Sequence, residues 1–218
     1  MIKKLFLTPA LLLSCLFVFS GTVFSEDLEA LLEKAKQGDA GAQNRLGFMY
    51  AKGIGIPQDY AEAEKWYKKA AAQGYTSAQY NLGVIYERGE GIPQNYTEAM
   101  RWWKKAAGQG YDEAQYSLGS MYKNGDGVPQ NYAEAMKWLE KAAERGHAKA
   151  QNNLGFMYDH GEGVPQNYKK AYILYDLSSA QGNKKAKYNI SIIEPRMAPA
   201  QIVEAQKEAA ELRKKIKK

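Results

Sequence analysis

The 218-residue chain has a single cysteine, Cys15, and only two histidines, His147 and His160. One cysteine excludes an intrachain disulfide framework and any zinc site built from several cysteines. A metal site usually needs three or four ligands, and serine and cysteine hydrolases need a placed histidine. We expect both histidines to be solvated, and we predict no catalytic residues, no metal site and no cofactor.

The middle of the chain lacks net charge. The formal net charge is +6, but Lys3 and Lys4 contribute two charges and the last twelve residues contribute four. Residues 26–206 are therefore formally neutral. A nucleic-acid-binding protein needs a basic face across its folded body, so we expect no nucleic-acid partner. The basic tail, Lys207–Lys218, suggests at most a weak contact with an anionic lipid or cell-wall polymer; a solvated helix end is the simpler interpretation.

The first residues have the pattern of a secretory signal. A basic "MIKK" precedes the uncharged "LFLTPALLLSCLFVF", and Val23 and Ser25 form a small-residue cleavage site before Glu26. We expect residues 1–25 to be a signal peptide cleaved between Ser25 and Glu26. The mature chain would be periplasmic or secreted, with no integral membrane segment. The alternatives are a retained membrane anchor, for which the apolar run is short, and lipidation at Cys15 in "LLSC".

A strict internal repeat follows. The dipeptide Ala-Gln recurs every 36 residues, at 42–43, 78–79, 114–115 and 150–151, and Ala186-Lys187 continues the series in degraded form. A period this strict indicates stacked supersecondary units. The predicted organisation is an N-terminal capping helix (26–38), repeats (about 40–75, 76–111, 112–147, 148–183 and a partial 184–193) and a C-terminal capping helix with the basic tail (194–218).

Each repeat reads as two helices, called A and B. In the second repeat, Leu82 and Ile85 lie on one apolar stripe of helix A, with Gly83 in the middle of the helix. Glycine there costs about 1 kcal/mol relative to alanine, so we expect helix B to approach closely. The equivalent glycines are Gly47, Gly119 and Gly155.

The sequence also indicates where helix B begins, which of its faces is buried and where it ends. Asn95 and Glu98 form a capping-box pattern, which Lys170 weakens in the fourth repeat. Trp102 and Trp103, set among alanines, form the predicted inward stripe. Helix B should end at a glycine in the left-handed conformation. Those glycines are Gly38, Gly74, Gly110, Gly146 and Gly182.

The loop "GEGIPQNY" at 89–96 invites a phosphate-binding interpretation. A P-loop, however, needs lysine and serine or threonine after its glycines, and a dinucleotide site needs a preceding strand. Neither is present, so we interpret the loop as a joint between helices A and B.

The pattern "A-Q-x-x-L-G-x-x-Y…G-x-G-[IV]-P-Q-[ND]-Y" over residues 28–193 resembles the Sel-one-like repeat (SLR) family, a relative of the tetratricopeptide repeats. The resemblance implies an all-α fold: a right-handed superhelical solenoid of antiparallel helix pairs with a C-terminal capping helix. It also implies an adaptor that holds other proteins, often in bacterial envelopes. One cysteine-rich branch is associated with β-lactam hydrolysis, but that branch carries a disulfide in each repeat.

The tyrosines and tryptophans that recur in every repeat are interpreted as core. The positions on helix A that differ between repeats are the candidate binding residues, because the resemblance places helix A on the concave side. They are Asn44, Phe48, Tyr80, Val84, Tyr116, Ser120, Asn152 and Phe156, with Ala51, Glu87, Lys123 and Asp159 one turn further on.

These features predict an exported, monomeric, non-enzymatic scaffold that binds an unidentified protein or peptide in the groove of the solenoid. Two alternatives are kept: a cell-envelope enzyme, either β-lactamase-like or active on peptidoglycan, and a secreted factor that acts on a host cell.

Overall fold

A computed structural model describes residues 27–216, and every regular element in this range is a helix. The proposed signal segment and its cleavage point lie outside the described residues. The helices are α1 (27–36), α2 (Ala40–Lys52), α3 (Tyr60–Ala72), α4 (Thr76–Arg88), α5 (Tyr96–Gly108), α6 (Asp112–Asn124), α7 (Tyr132–Glu144), α8 (Ala148–His160), α9 (Tyr168–Ser179), α10 (Lys184–Ile193) and α11 (Pro199–Ile216), with a short 3-10 turn at Glu194–Arg196. The predicted all-α class is confirmed.

The chain divides into two compact units, with the boundary between Ala78 and Gln79 in α4 and with residues 90–92 of the following loop belonging to the first unit. In the first unit, α2 packs on α3, and α1 contributes Ala35 to a cluster with Leu46 and Trp66. In the second unit, α6 packs on α7, α8 packs on α9, and α9 is covered by α10 and α11. The predicted C-terminal capping helix is α11, which buries Ala205 and Ala209 against this last cluster.

The glycine in the middle of each helix A meets a large side chain of helix B, as predicted. A Cβ atom at Gly83 would overlap the indole of Trp103. A Cβ at Gly119 would lie 2.6 Å from Leu139 Cγ, and one at Gly155 would lie 2.8 Å from Tyr175 Cδ1. The missing side chain therefore lets the two helices of each pair approach closely.

The helix-B caps are present, but the capping box is not. The Asn95 side chain accepts a hydrogen bond from the Glu98 backbone N–H at 3.0 Å, as predicted. The Asn95 N–H, however, donates to the Tyr86 carbonyl at 2.8 Å, so the Glu98 side chain is free to pair with Arg101. The capping-box reason for a weaker cap in the fourth repeat is therefore wrong, because the Asn167 side chain accepts from the Lys170 N–H at 2.9 Å without a glutamate.

The loop between helices A and B is a joint, and its second glycine has a role that the sequence did not reveal. Gly91 adopts a φ of +69°, and a Cβ there would lie 2.7 Å from the Cβ of Tyr60, the first residue of the preceding helix B. Gly127 and Gly163 make the same close approach to Tyr96 and Tyr132. The second glycine thus lets each loop pack against the repeat before it.

Glutamines link successive repeats in the interior, and we call this set of buried side chains the glutamine ladder. Gln151 donates to the Ala143 carbonyl at 3.1 Å and accepts from the Gln181 amide at 2.8 Å. The pairs Gln43–Gln73 and Gln79–Gln109 have the same side-chain hydrogen bond. In the third repeat, Arg145 occupies the position of the donor, and the buried Gln115 Oε1 has no hydrogen-bond partner within the described structure.

Candidate partner-binding surface

The variable residues of helix A remain at least partly exposed. We call the eight predicted positions the helix-A face: Asn44 and Phe48 in the first unit, and Tyr80, Val84, Tyr116, Ser120, Asn152 and Phe156 in the second. Phe48 is 44% exposed, whereas the invariant leucines beside these positions are buried. One turn further on, Ala51 and Asp159 are only 7% and 6% exposed, whereas Glu87 and Lys123 remain partly exposed. The extension of the face to that turn is therefore wrong for Ala51 and Asp159.

Two further residues continue the face on α10. Tyr188 follows Asn152 by 36 residues and Ile192 follows Phe156 by 36 residues. Their side chains are 66% and 42% exposed, which makes them prominent apolar groups on the surface. The sequence analysis missed them because α10 keeps only half of the Ala-Gln signature. The unbroken period was the signal that could have identified them.

Aromatic pairs lie in two of the spaces between successive A helices, from α4 to α6 and from α6 to α8. The rings of Tyr80 and Tyr111 have centroids 5.2 Å apart, and those of Tyr116 and His147 stack at 4.7 Å. Each pair joins a residue of the helix-A face to the residue just before the next helix A. The face is therefore built on rings that are partly fixed by their neighbours.

We call the space between two successive A helices an interval. The interval between α8 and α10 contains amide side chains in place of rings. Asn152 and Asn183 occupy the equivalent positions, 36 residues after Tyr116 and His147. Asn152 accepts from Asn189 at 3.2 Å, and Asn183 caps α10. Beside them lies a cavity of about 610 Å³, lined by Tyr116, by residues of α8 and by the start of α10.

His147 is not the solvated side chain that we expected. It is half-buried at the N-terminus of α8, where its Nδ1 accepts from the Ala150 N–H at 3.1 Å. Burial lowers the pKa of the imidazole from its ordinary value of 6.5, although the nearby Asp112 opposes the shift. The aligned residues Asp39 and Asn183, both N-caps, were the available signal.

Phe156 lies in a charged neighbourhood. Its ring stacks on the exposed His160 at 3.8 Å, and Lys123 Nζ lies 4.6 Å from the ring centroid. Lys123 also pairs with Glu162 at 3.3 Å. Below the surface, the buried Tyr175 hydroxyl donates to Asp159 at 3.4 Å, and burial raises the pKa of this tyrosine. Phe156 is thus an aromatic anchor with a lysine ammonium group beside its ring.

Val84 and Ser120 complete the face. Val84 packs against the cluster that contains Leu118 and Trp103. The Ser120 hydroxyl is buried and has no hydrogen-bond partner within the described residues. Both positions are therefore tied to the interior more than Phe48 is.

Neither a metal centre nor a membrane span emerges from the described residues. Within 27–216, no three His, Cys, Asp or Glu side chains are grouped so as to hold a metal ion. None of the helices in this range has the length and hydrophobicity to cross a membrane. In the basic C-terminal helix, Arg213 contacts Asp176 at 3.5 Å, while Lys214 and Lys215 are exposed.

Comparisons with known proteins identify the family. The Sel1 repeat model matches residues 40–75, 76–111, 112–147 and 148–183. A Sel1 repeat protein from Oxalobacter formigenes is 31% identical, with a TM-score of 0.74, over 91% of this chain and 81% of that one. The protein c5321, a protective antigen of uropathogenic Escherichia coli with an SLR fold, is 32% identical, with a TM-score of 0.56, over 86% of this chain and 49% of its own.

The chain thus spans about half of c5321. Immunity protein Pa5087 from Pseudomonas aeruginosa, 24% identical with a TM-score of 0.52 over 88% of this chain and 74% of its own, shares the fold. No curated protein matches the sequence. Sel1 repeat proteins generally serve as protein-interaction scaffolds, and the fold is typical of non-enzymatic repeat proteins. With four matched repeats and the helix pairs they predict, the chain belongs to the Sel1 repeat family.

Proposed function

We propose that this protein is an exported scaffold that binds a partner protein or peptide on the helix-A face of its second unit. One observation carries the proposal: the eight varying positions of the helix-A face stay at least partly exposed, whereas the recurring alanine, glutamine, leucine and glycine of each full-length helix A are buried. Residues that recur are required by the stack. Residues that vary are free to select a partner.

The chemistry of the face supports protein binding. Tyrosine is among the side chains that dominate binding energy at protein interfaces, because one side chain buries a large area and keeps a hydroxyl for hydrogen bonding. The face offers Tyr80 and Tyr116, and α10 adds Tyr188 and Ile192. The pairing of Tyr116 with His147 holds one ring in place before a partner arrives, which lowers the entropic cost of binding.

The binding test uses the two exposed residues of α10, since their loss should not disturb the core. The partner would first be identified by crosslinking in the organism that produces the protein, followed by mass spectrometry. Tyr188→Ala with Ile192→Ala should then weaken binding of the purified partner at least about tenfold, as expected for interface anchors. The melting temperature should stay unchanged.

Val203→Ala is the matched control, because Val203 on α11 is 66% exposed, as Tyr188 is, and lies off the helix-A face. It should leave binding unchanged. Equal binding by the control and the double variant would contradict the proposed surface.

The proposal includes export. Residues 1–25 would direct secretion, and the mature chain would begin at Glu26 in the periplasm or outside the cell. N-terminal sequencing of the protein from its native host tests this directly. A start at Met1 would contradict cleavage of the signal, and recovery from the cytosol would contradict export.

The proposal also assigns binding without bond-making chemistry. We expect the purified mature protein to show no turnover of nitrocefin or of muropeptides. Turnover above background would instead support the cell-envelope hydrolase alternative.

A further inference from the structure

The cavity beside α10 exists because two amides replace an aromatic pair. In the preceding interval, the rings of Tyr116 and His147 stack at 4.7 Å and occupy the space between α6 and α8. Asn152 and Asn183 stand at the same positions one repeat later, and a cavity of about 610 Å³ lies beside them. That volume is within the range of known ligand pockets.

The cavity is lined by basic and amide side chains. Lys149 and Asn152 come from α8, Lys184 and Lys185 from the start of α10, and none of the lining residues is acidic. In the described part of the chain, no ion pair involves any of these three lysines. Lys169, by contrast, contacts Glu204 at 2.7 Å and Glu208 at 3.2 Å. The cavity therefore concentrates uncompensated positive charge.

This charge is specific to the last interval. One repeat earlier, the positions of Lys149, Lys184 and Lys185 are held by Glu113, Ala148 and Lys149. The repeat pattern therefore requires neither the amides nor the basic cluster. Both changes occur at the same place, where they produce an open and positively charged site.

We infer that this cavity binds an acidic segment of the partner, an extended peptide rich in aspartate and glutamate. The lysines would pair with its carboxylates, since charge-assisted hydrogen bonds are the stronger class. Asn152 and Asn153 would hydrogen-bond its backbone, because an amide side chain both donates and accepts, as a peptide bond does. Tyr116, at one wall of the cavity, and Tyr188, one turn beyond Lys184, would contact its apolar side chains. The inference rests on the proposed function and names the partner's chemistry.

A peptide fits these groups better than a nucleic acid does. Nucleic-acid binding relies on basic charge distributed along a strand, whereas residues 26–206 are neutral overall. Here, the uncompensated lysines are confined to one cavity and interleaved with amides.

The experiment measures binding of a short fluorescent peptide of alternating glutamate and alanine by fluorescence anisotropy. The wild-type protein should bind it with an affinity that falls as salt rises, and a peptide with glutamine in place of glutamate should not bind. Lys184→Glu with Lys185→Glu should weaken binding at least about tenfold, because like charges are brought together. Lys207→Glu with Lys214→Glu, an equal change of charge on α11, should have little effect.

A second variant closes the cavity and leaves the net charge at pH 7 unchanged. Asn152→Tyr with Asn183→His rebuilds the ring pair of the preceding interval, and a histidine already caps α8, so the fold should persist. We expect this variant to lose peptide binding while its helical circular dichroism remains that of the wild type. Retained binding would show that the cavity is not the site.

The other outcomes separate the two proposals. Equal weakening by both lysine pairs would mean nonspecific charge attraction and would overturn the inference, as would tighter binding of a single-stranded oligonucleotide than of the peptide. If the acidic peptide does not bind, but Tyr188→Ala with Ile192→Ala still weakens binding of a native partner, the acidic-segment inference is wrong and the scaffold function stands. If neither this variant nor Asn152→Tyr with Asn183→His weakens binding of a native partner, the proposed function fails as well.

Discussion

The two sides of each helix A differ in what constrains them. On the interior side, every repeat has the same glycine facing a large helix-B residue and the same buried glutamine. On the helix-A face, the equivalent positions carry asparagine, tyrosine, phenylalanine, valine or serine. The recurring side therefore encodes the fold, and the varying side is available for function.

A second comparison, between neighbouring intervals on the face, sharpens the first. The interval with Tyr116 and His147 is filled by rings, and the interval with Asn152 and Asn183 is open and basic. The 36-residue register continues into α10, so the amides and lysines of the open interval stand at positions that can be compared with the rings of the filled one. Replacement of side chains at these positions thus accompanies the gain of a pocket.

Removing an interior ring should have the largest effect. Trp103 is fully buried, and its indole packs against Gly83 of the paired helix. Trp103→Ala should lower the free energy of unfolding by about 3–5 kcal/mol, because the cavity it leaves cannot fully close. Denaturant titration followed by circular dichroism measures this. Val203→Ala on the surface should change stability by less than about 0.5 kcal/mol, and similar losses in both variants would refute the division into interior and face.

Adding a single methyl to an interior glycine should have the next largest effect. Gly155→Ala should destabilise the protein by about 1–3 kcal/mol, since its Cβ would lie 2.8 Å from Tyr175 Cδ1 in a tightly packed contact. Gly108→Ala is the matched control: Gly108 is helical and exposed, and a methyl group added there would have no neighbouring atom within 4 Å. The control should stabilise the protein by up to about 1 kcal/mol through helix propensity. Thermal melts that shift in the same direction for both variants would contradict the close-approach role.

A third substitution supplies a hydrogen-bond donor that the interior of the third repeat lacks. Arg145→Gln should stabilise the protein by about 1 kcal/mol, because a glutamine there can donate to the unpartnered Gln115 Oε1 as Gln181 does to Gln151. Arg145→Ala removes the same charge without adding a donor, so it should bring no gain. Chemical denaturation of the two variants separates these outcomes, and equal stability would contradict the role assigned to the glutamine ladder.

The smallest predicted effect is a pH dependence of stability that arises from His147, in the interval filled by rings. His147 must be neutral at Nδ1 to accept the Ala150 N–H, and its pKa is lowered in the folded state. The unfolded chain therefore binds the proton more readily, and stability should decrease as the pH falls below about 6.5 towards the folded pKa. Asp112 and Lys149 act on this histidine in opposite directions.

His147→Asn should reduce the loss of stability at low pH, since Asn183 makes the equivalent cap without titrating near neutrality. The measurement is the melting temperature of both proteins between neutral pH and pH 5. Parallel curves would show that His147 has no part in the acid sensitivity.

Much of the fold followed from periodicity, because helices, close-approach glycines and caps leave local patterns in the sequence. The capping box was wrongly predicted because the motif does not show that the Asn95 and Asn167 N–H groups donate to the Tyr86 and Tyr158 carbonyls of the preceding helices. The second loop glycine and the glutamine ladder depend on contacts between repeats, which no single repeat displays. The eight predicted face positions are at least partly exposed, and their role in binding stays a prediction. The burial of Ala51 and Asp159 depends on packing that spacing alone does not determine.

Site-specific photo-crosslinking in the producing organism tests the central claim most directly. A photoreactive phenylalanine analogue would replace Tyr188 on the helix-A side in one strain and Val203 on α11 in another, two positions with the same 66% exposure. If the varying side of helix A binds the partner, the protein should form a discrete adduct with one other protein from position 188 and none from position 203. Adducts of equal yield from both positions, or from position 203 alone, would contradict the assignment of binding to this face.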